Sequence, residues 1–194
     1  MTARTATRHR ATKETDIEVR LDLDGSGRAE VSTGLPFFDH MLEQLGRHGG
    51  FDLTLSAKGD LEVDAHHTVE DTGIVLGDAL AGALGDKAGV RRFASGLYPL
   101  DEALVQVALD LSGRPFLVYE VETSPERIGT FDPQLAEEFW RAFSTSAGIT
   151  LHLKTLSGRN GHHVLEACFK GVARSLRDAV RVDGDGVPST KGTL

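Results

Sequence analysis

The sequence predicts an α+β fold made of two similar β-β-α-β-α halves, whose helices pack together between two outer sheets. The main observation is a repeated motif, H-H-x-x-E, which begins at His66 and again at His162, 96 residues later (162 − 66). A similar order of strands and helices precedes each motif. A half of about 90 residues is too small to bury a sheet and two helices alone, so the halves are expected to share one core.

The elements of the first half follow from hydrophobic periodicity and turn residues. Residues 17–23 alternate apolar and polar side chains, and the turn at 24–27 leads into a second strand, which predicts a hairpin. Pro36 opens a helix with an apolar stripe, and Gly49-Gly50 ends it. In order, the predicted elements are strands at 17–23 and 29–33, a helix from 36 to 49, a strand at 51–55 and a helix from 66 through 84.

The second half repeats this order. Residues 103–111 alternate as a strand, and Ser112-Gly113 turns the chain into a predicted hairpin partner. The predicted elements are strands at 103–111 and 115–121, a helix from 132 through 143, a strand at 149–153 and a helix from 162 through 176. We divide the chain into a disordered lead-in at 1–13, halves at 14–95 and 96–182, and a tail at 183–194.

Composition narrows the class of protein. The chain has 194 residues, 40% of them hydrophobic, and a formal charge of −8 that argues against nucleic-acid binding. The single cysteine, Cys168, excludes an intrachain disulfide and fits a reducing compartment, where it is expected to be an inert core thiol. No apolar run has the length of a membrane span, and the N-terminus lacks the apolar segment of a secretory signal. We therefore expect a cytoplasmic protein without nucleic-acid or membrane partners.

The repeated motif has the geometry of a metal site. On a helix, the first His and the Glu four positions later share one face, while the second His is rotated by about 100°. A single pair of this kind is more often a surface hydrogen bond, but its duplication favours two metal ions. Imidazole and carboxylate ligands suit Mn²⁺, Fe²⁺ or Zn²⁺, and an octahedral preference favours Mn²⁺. Each ion needs further ligands from the other half or from another subunit.

Alignment of the halves indicates those further ligands. When residues 51–55 are matched with 149–153, an offset of 98, His40 lies opposite Glu138. His152 matches Thr54, so it is expected to pack or hydrogen-bond near the site and not to bind metal. Symmetry alone divides the ligands between the ions, and the division stays open. The preferred sets are His40, His67, His162 and Glu166 for one ion, and His66, Glu70, Glu138 and His163 for the other.

Motifs along nearly the whole chain resemble those of the imidazoleglycerol-phosphate dehydratases. They are residues 10–15 (RATKET), 35–42 (LPFFDHML), 66–71 (HHTVED), 101–103 (DEA), 160–166 (NGHHVLE), 169–170 (FK) and 187–192 (VPSTKG). The resemblance implies a ribosomal S5 domain 2-like fold, two Mn²⁺ ions per site, and a 24-mer built from trimers with ligands from more than one subunit. Many relatives carry His where this chain has Glu138, which makes Glu138 the least secure ligand.

The resemblance also implies the reaction. Such enzymes are carbon–oxygen hydro-lyases of histidine biosynthesis, which convert D-erythro-imidazoleglycerol phosphate to imidazoleacetol phosphate. The proton that is removed lies on a carbon without a neighbouring carbonyl, so the imidazole ring must accept the electrons. Two metal ions at the ring nitrogens would stabilise an imidazolate and allow a diazafulvene-like intermediate.

Carboxylates and cations complete the expected site. Proton transfer requires a carboxylate near the reacting carbons, and Glu14 is the main candidate, followed by Glu70 and then Asp101 and Glu102. The phosphate requires cations and backbone N–H groups, which the small residues of the C-terminal tail can supply. The expected substrate-binding residues are Glu14, Gln44, His48, Arg92, Arg114, Lys170, Ser189 and Lys191.

Two other functions stay open at this point. One is a di-metal hydrolase, although such enzymes usually recruit bridging Asp ligands from loops. The other is a non-catalytic assembly in which metal only joins subunits. The sequence does not tell which metal is bound, which subunits share a site, whether Glu138 or His152 completes the second metal site, or whether the tail orders only with substrate.

Overall fold

The computed structural model describes residues 3–194 and contains two four-stranded sheets and four long helices in this range. The strands of the first half are β1 (Thr5–Ala11), β2 (Thr15–Asp22), β3 (Ala29–Ser32) and β4 (Asp52–Gly59), with helices α1 (Pro36–Gly49) and α2 (His66–Leu84). Those of the second half are β5 (Phe93–Leu100), β6 (Ala103–Asp110), β7 (Phe116–Glu120) and β8 (Thr150–Ser157), with helices α3 (Leu135–Ala147) and α4 (Gly161–Ala179).

The two halves have the same topology. The strand orders are β1-β2-β4-β3 and β5-β6-β8-β7, and the last pair in each sheet is parallel. Arg10 pairs with Ile17 across β1 and β2, and Tyr98 pairs with Val105 across β5 and β6, so an offset of 88 keeps the register. The α+β fold with duplicated β-β-α-β-α halves is confirmed, with one additional strand at the start of each half.

The additional strands correct the predicted lead-in. Residues 5–11, expected to be disordered, form β1 and pair along their whole length with β2. Only Ala6 of this strand is fully buried, so the segment lacks the apolar alternation by which a strand is recognised. Residues 1 and 2 of the predicted lead-in lie outside the described part of the chain.

The two predicted hairpins are wrong. β3 does not pair with β2; it lies parallel to β4, with Ala29 opposite Leu53. β7 likewise lies parallel to β8, with Phe116 opposite Thr150. In each half a helix crosses between the third and fourth strands, and such a crossover joins parallel strands, whereas a short turn alone joins a hairpin.

The helices pair across the halves. α1 packs against α4, and α2 packs against α3, so every pair joins one helix from each half. A Cβ atom added at Gly73 would lie 2.7 Å from the Phe139 carbonyl oxygen, and one at Gly77 would lie 2.6 Å from that of Phe143. Glycine at these positions lets α2 and α3 approach closely. No helix within residues 3–194 is long and apolar enough to cross a membrane.

Candidate active site

The helix pair α1 and α4 brings three potential metal ligands together. His162 Nε2 lies 2.8 Å from Glu166 Oε2, and His40 Nε2 lies 3.6 Å from the same oxygen. All three donor atoms fall within 4.8 Å of one another. The Asn160 side chain fixes the start of α4 by accepting a hydrogen bond from the His162 backbone N–H at 3.0 Å. This cluster combines one residue of the first half with two of the second, and its imidazole and carboxylate donors fit Mn²⁺, Fe²⁺ or Zn²⁺.

Glu166 is held as an ionised carboxylate. Burial favours its neutral form, but hydrogen bonds from Lys170 and His162 outweigh this effect, and the pKa of Glu166 is lowered. Lys170 Nζ lies 2.6 Å from Glu166 Oε1, and the Glu166 side chain is only 12% exposed. Lys170, expected to bind substrate, thus contacts the cluster of potential metal ligands.

The first turn of α2 repeats the same geometry. His66 Nε2 lies 3.6 Å from Glu70 Oε2, and both side chains are about half exposed, at 42% and 44%. The Asp64 carboxylate accepts a hydrogen bond from the His66 backbone N–H at 2.7 Å and so helps to begin the helix. Both H-H-x-x-E motifs therefore direct the Nε2 atom of the first His toward the Glu four residues later.

The second His of each motif is oriented by a carboxylate. His67 Nδ1 lies 3.0 Å from Asp60 Oδ2, and His163 Nδ1 lies 2.7 Å from Glu102 Oε2. These hydrogen bonds raise the pKa of both imidazoles. A ring that donates through Nδ1 keeps the Nε2 lone pair free, which is the usual arrangement of a metal-binding His.

Both carboxylate oxygens of Glu102 are engaged in hydrogen bonds, one of them with the His163 ring. Its Oε1 accepts hydrogen bonds from the backbone N–H groups of Asn160 at 2.9 Å and Arg159 at 3.4 Å, while Oε2 contacts His163. The His163 contact, followed by these backbone contacts, lowers the pKa of Glu102 to about 2. Neighbouring Asp101 is 76% exposed, with Oδ2 3.8 Å from His163 Nε2.

Glu14 occupies the matching place in the first half, since the offset of 88 between β2 and β6 aligns it with Glu102. The Glu14 backbone N–H donates to Thr12 Oγ1 at 3.0 Å, and its carbonyl accepts from the Asp60 N–H at 3.1 Å. Its side chain is exposed, and its negative charge contributes to the raised pKa of His67. A carboxylate next to a potential metal ligand is thus open to solvent.

A polar row on α1 continues from the cluster. Gln44 Nε2 lies 3.3 Å from His40 Nδ1, and His48 Nε2 lies 3.1 Å from Gln44 Oε1. Burial, followed by the positive charge of Lys170, lowers the pKa of His48. Gln44 therefore lies between the His40 and His48 rings and contacts both.

Four of the expected phosphate-binding residues meet in one open cleft. Arg92, Arg114, Ser189 and Lys191 line it together with Pro188, Thr190 and Thr193, and its volume is about 590 Å³. Arg92 Nε and Nη2 contact Asp110 at 2.6 and 3.0 Å, and Nη1 donates to the Pro188 carbonyl oxygen at 2.8 Å. Arg92 thus anchors the tail, and Arg114, 68% exposed, lies 3.8 Å from the shared Asp110.

A family model described as imidazoleglycerol-phosphate dehydratase matches residues 33–176. The chain belongs to this family. An imidazoleglycerol-phosphate dehydratase of Acidothermus cellulolyticus is 59% identical over 192 residues, which cover 98% of this chain and 93% of the relative. The imidazoleglycerol-phosphate dehydratase of Gluconacetobacter diazotrophicus is 57% identical over 196 residues, which cover 100% of this chain and 99% of the relative.

Two solved structures of dehydratases from this family have the same fold as this chain. The Staphylococcus aureus enzyme superposes with a TM-score of 0.83 at 35% identity, covering 92% of this chain and 99% of that one. The Pyrococcus furiosus enzyme, solved in complex with (S)-C348, superposes with a TM-score of 0.85 at 38% identity. The match covers 96% of this chain and 100% of that one. The protein is therefore a dehydratase, a lyase that acts on imidazoleglycerol phosphate in histidine biosynthesis.

The dehydratase chain assembles only part of each predicted ligand set. His67 lies outside the His40–His162–Glu166 group. In the other set, His66 and Glu70 are close, while the contact found for Glu138 is with Arg141, whose Nε lies 3.9 Å away. The division of ligands between two ions stays a prediction.

His152 does not lie near the dehydratase site. It points from β8 to the outer face of the second sheet, beside Val118, Glu120 and Lys154. The expectation was wrong because strand residues alternate between faces, and the buried neighbours Leu151 and Leu153 occupy the face toward the helices.

Sequence reasoning missed two carboxylates, Asp60 as the partner of His67 and Asp71 as the partner of Thr15. Asp60 follows a strand in a polar turn, where acidic residues are common. The alignment of Glu14 with Glu102 could have been found by matching residues 17–23 with 105–111 at an offset of 88.

Proposed function

We propose that this dehydratase is a cytoplasmic, metal-dependent enzyme that converts D-erythro-imidazoleglycerol phosphate to imidazoleacetol phosphate through an imidazolate and a diazafulvene-like intermediate of the substrate. The observation that carries the metal dependence is the repeated arrangement of the two H-H-x-x-E motifs. In both, one His faces a Glu through Nε2, and the other is held by a carboxylate through Nδ1. Surface hydrogen-bonded pairs have no reason to repeat this second carboxylate.

Two Mn²⁺ ions fit these donors, and Fe²⁺ or Zn²⁺ would share them. When bound, the ions would act as Lewis acids at the two nitrogens of the substrate ring, so that the ring can accept electrons. The residues that would hold them are His40, His67, His162 and Glu166 for one ion, and His66, Glu70, Glu138 and His163 for the other. His40, His162 and Glu166 already lie within reach of one ion.

Glu14 is proposed to move the proton at the reacting carbons. Its carboxylate is exposed on a turn whose backbone is fixed by Thr12 and Asp60, so it can reach substrate bound beside His67. Glu70 is half exposed and can serve as ligand and as a second proton carrier. Glu102, with a pKa of about 2 and both oxygens engaged, is assigned to orienting His163. Asp101 is the remaining candidate for proton transfer.

The substrate phosphate is proposed to bind in the cleft formed by Arg92, Arg114, Ser189 and Lys191. Arg92 is already paired with Asp110 and holds the tail, so Arg114 and Lys191 supply most of the available positive charge. Ser189 adds a hydroxyl and backbone groups at a turn closed by the Gly192 N–H, which donates to the Ser189 carbonyl at 3.0 Å. On α1, Gln44 and His48 are proposed to contact the substrate hydroxyls.

Self-association into trimers and a 24-mer is proposed to complete the site. Two features support it: ligands of the second set lie apart in the chain, and part of the outer face of the second sheet carries large exposed apolar side chains. Phe93, Leu97 and Phe116 are 57%, 57% and 64% exposed there, while the outer positions of β2 carry Asp16, Glu18 and Arg20. Exposed apolar side chains grouped in this way usually contact another chain, here a second copy.

The direct test supplies Mn²⁺ and imidazoleglycerol phosphate and measures the keto product. Release of inorganic phosphate without the keto product would indicate a hydrolase, and an intact assembly without turnover would indicate a purely structural metal. Glu14→Gln is expected to keep the wild-type metal content and lose most turnover. The matched control is Glu18→Gln, on the outer face of β2, which is expected to keep wild-type activity.

A further inference from the structure

An ionic network around the buried Asp71 carboxylate links the turn that carries Glu14 to the helix that carries Glu70. Asp71 directly follows Glu70 and is 7% exposed. Its Oδ2 atom accepts a hydrogen bond from Thr15 Oγ1 at 2.5 Å, and Arg10 Nη1 lies 2.5 Å from the same oxygen. We name Arg10, Thr15 and Asp71 the Asp71 network.

The Asp71 network fixes the turn from the side of the protein core. Within the turn, the Thr15 N–H and the Glu14 N–H both donate to Thr12 Oγ1 at 3.0 Å. Thr15 is 3% exposed, so its hydroxyl is held inside the protein while the adjacent Glu14 side chain faces outward. The bond between Thr15 and Asp71 therefore ties the turn that carries Glu14 directly to α2.

The second half of the chain shows that packing alone does not require this network. α2 and α4 align at an offset of 96, at which their buried positions match, and Asp71 aligns with Ala167. At the offset of 88, Thr15 aligns with Ala103 and Arg10 with Tyr98. The three equivalent positions carry no charge, although Ala103 and Ala167 are each 1% exposed in the same fold.

We propose that Asp71 is a positioning residue for Glu14, an inference that rests on the proposed role of Glu14 in proton transfer. An ion pair with a buried carboxylate is a poor source of stability compared with apolar packing, and the second half packs the equivalent positions without one. It does hold its partners in one geometry, and proton transfer depends on placing the carboxylate within fractions of an ångström. The network is found in the half whose carboxylate is exposed, whereas Glu102 in the other half is fixed by its own hydrogen bonds.

The test compares Thr15→Val, Asp71→Asn and the double variant Thr15→Ala/Asp71→Ala, which copies two of the three equivalent positions of the second half. Each is expected to lower kcat by about 10- to 100-fold per metal-loaded site, with KM within about twofold, because misplacement of a catalytic group by 1 Å can have effects of this size. The matched control is Asp52→Asn, which also removes a carboxylate that binds an Arg and a Ser but lies away from the site.

A second measurement is independent of the reaction. Amide hydrogen exchange of residues 12–15 is expected to accelerate at least tenfold in Asp71→Asn, while α2 stays protected. Unchanged exchange and unchanged kcat per loaded site would overturn the role of Asp71, even if the variants are less stable. If the wild-type enzyme gives no keto product, the proposed function fails, and the exchange measurement still decides whether Asp71 fixes the turn.

Discussion

Replacement of Glu102 by Gln is expected to weaken the binding of one of the two proposed metal ions and to leave the binding of the other unchanged. Glu102 Oε2 accepts from His163 Nδ1, and Oε1 accepts from the Asn160 and Arg159 N–H groups. Glutamine has one acceptor oxygen and one NH₂ group, so it cannot serve both sides. If its NH₂ faces the ring, Nδ1 must lose its proton, and the proton moves to Nε2, the atom expected to bind metal.

The size of this effect follows from the role of a carboxylate that orients a metal-binding His. Removal of such a carboxylate typically weakens metal affinity by about 10- to 100-fold. We expect Mn²⁺ titration of Glu102→Gln, followed by calorimetry or by electron paramagnetic resonance, to show one class of sites with wild-type affinity and one weakened by this factor. Metal analysis after desalting is expected to fall from two ions per chain toward one.

A control variant separates this effect from a general loss of charge. Glu120→Gln removes a carboxylate that pairs with Lys154 at 2.6 Å on the outer face of the second sheet. It is expected to bind both ions as the wild type does. Two ions bound with unchanged affinity in Glu102→Gln would refute the orienting role of Glu102.

Three further predictions follow from the same structure. Excess EDTA is expected to disassemble the proposed 24-mer, because the proposed metal ligands would come from separate parts of the fold and of the assembly; an unchanged sedimentation profile would contradict this. Lys191→Ala is expected to raise KM about tenfold with little change in kcat, since it removes phosphate binding distant from the reacting carbons, whereas Lys154→Ala changes neither in steady-state assays. Asp52→Asn is expected to lower Tm at neutral pH: Arg28 lowers the pKa of Asp52, so its contribution exists above the ordinary pKa of 3.8 and is lost as pH falls below it. The two Tm curves should therefore converge in acid, and a constant difference would show that the pair does not act through the Asp52 charge.

The geometry of the two H-H-x-x-E motifs could be predicted from the sequence because helical spacing is local. A His and a Glu four positions apart share a face wherever the helix lies, and α2 and α4 both place them so. The match of His40 with Glu138 required only that the two halves align, and the structure brings His40 to Glu166 of the other half. These predictions needed no knowledge of how the strands are ordered.

The strand order and the supporting carboxylates could not be predicted in the same way. Alternation identifies a strand but not its neighbour, so β2 and β3 were paired through their short turn when β4 lies between them. Asp71 contacts Thr15, which is 56 positions away, and Asp60 reaches His67 from a turn outside α2. Single acidic residues also show no periodic pattern in the sequence. Their roles appear only when turns and helices are placed in space.

The two halves share the geometry of the H-H-x-x-E motifs but differ in their carboxylates, and the proposed reaction explains why. An imidazole ring has two nitrogens, so a duplicated metal-binding motif can provide one ion for each of them. The carbons that lose the proton and the hydroxyl lie on one side of that ring, so proton transfer is needed once. Glu102 has both oxygens bound by protein groups, and the positions matching the Asp71 network are uncharged. Glu14 has an exposed carboxylate on a turn that is bound on its core side by Asp71, through Thr15. The halves thus agree in the motifs that would bind the two similar ring nitrogens. They differ in the carboxylates because the ring carries a single reacting side chain.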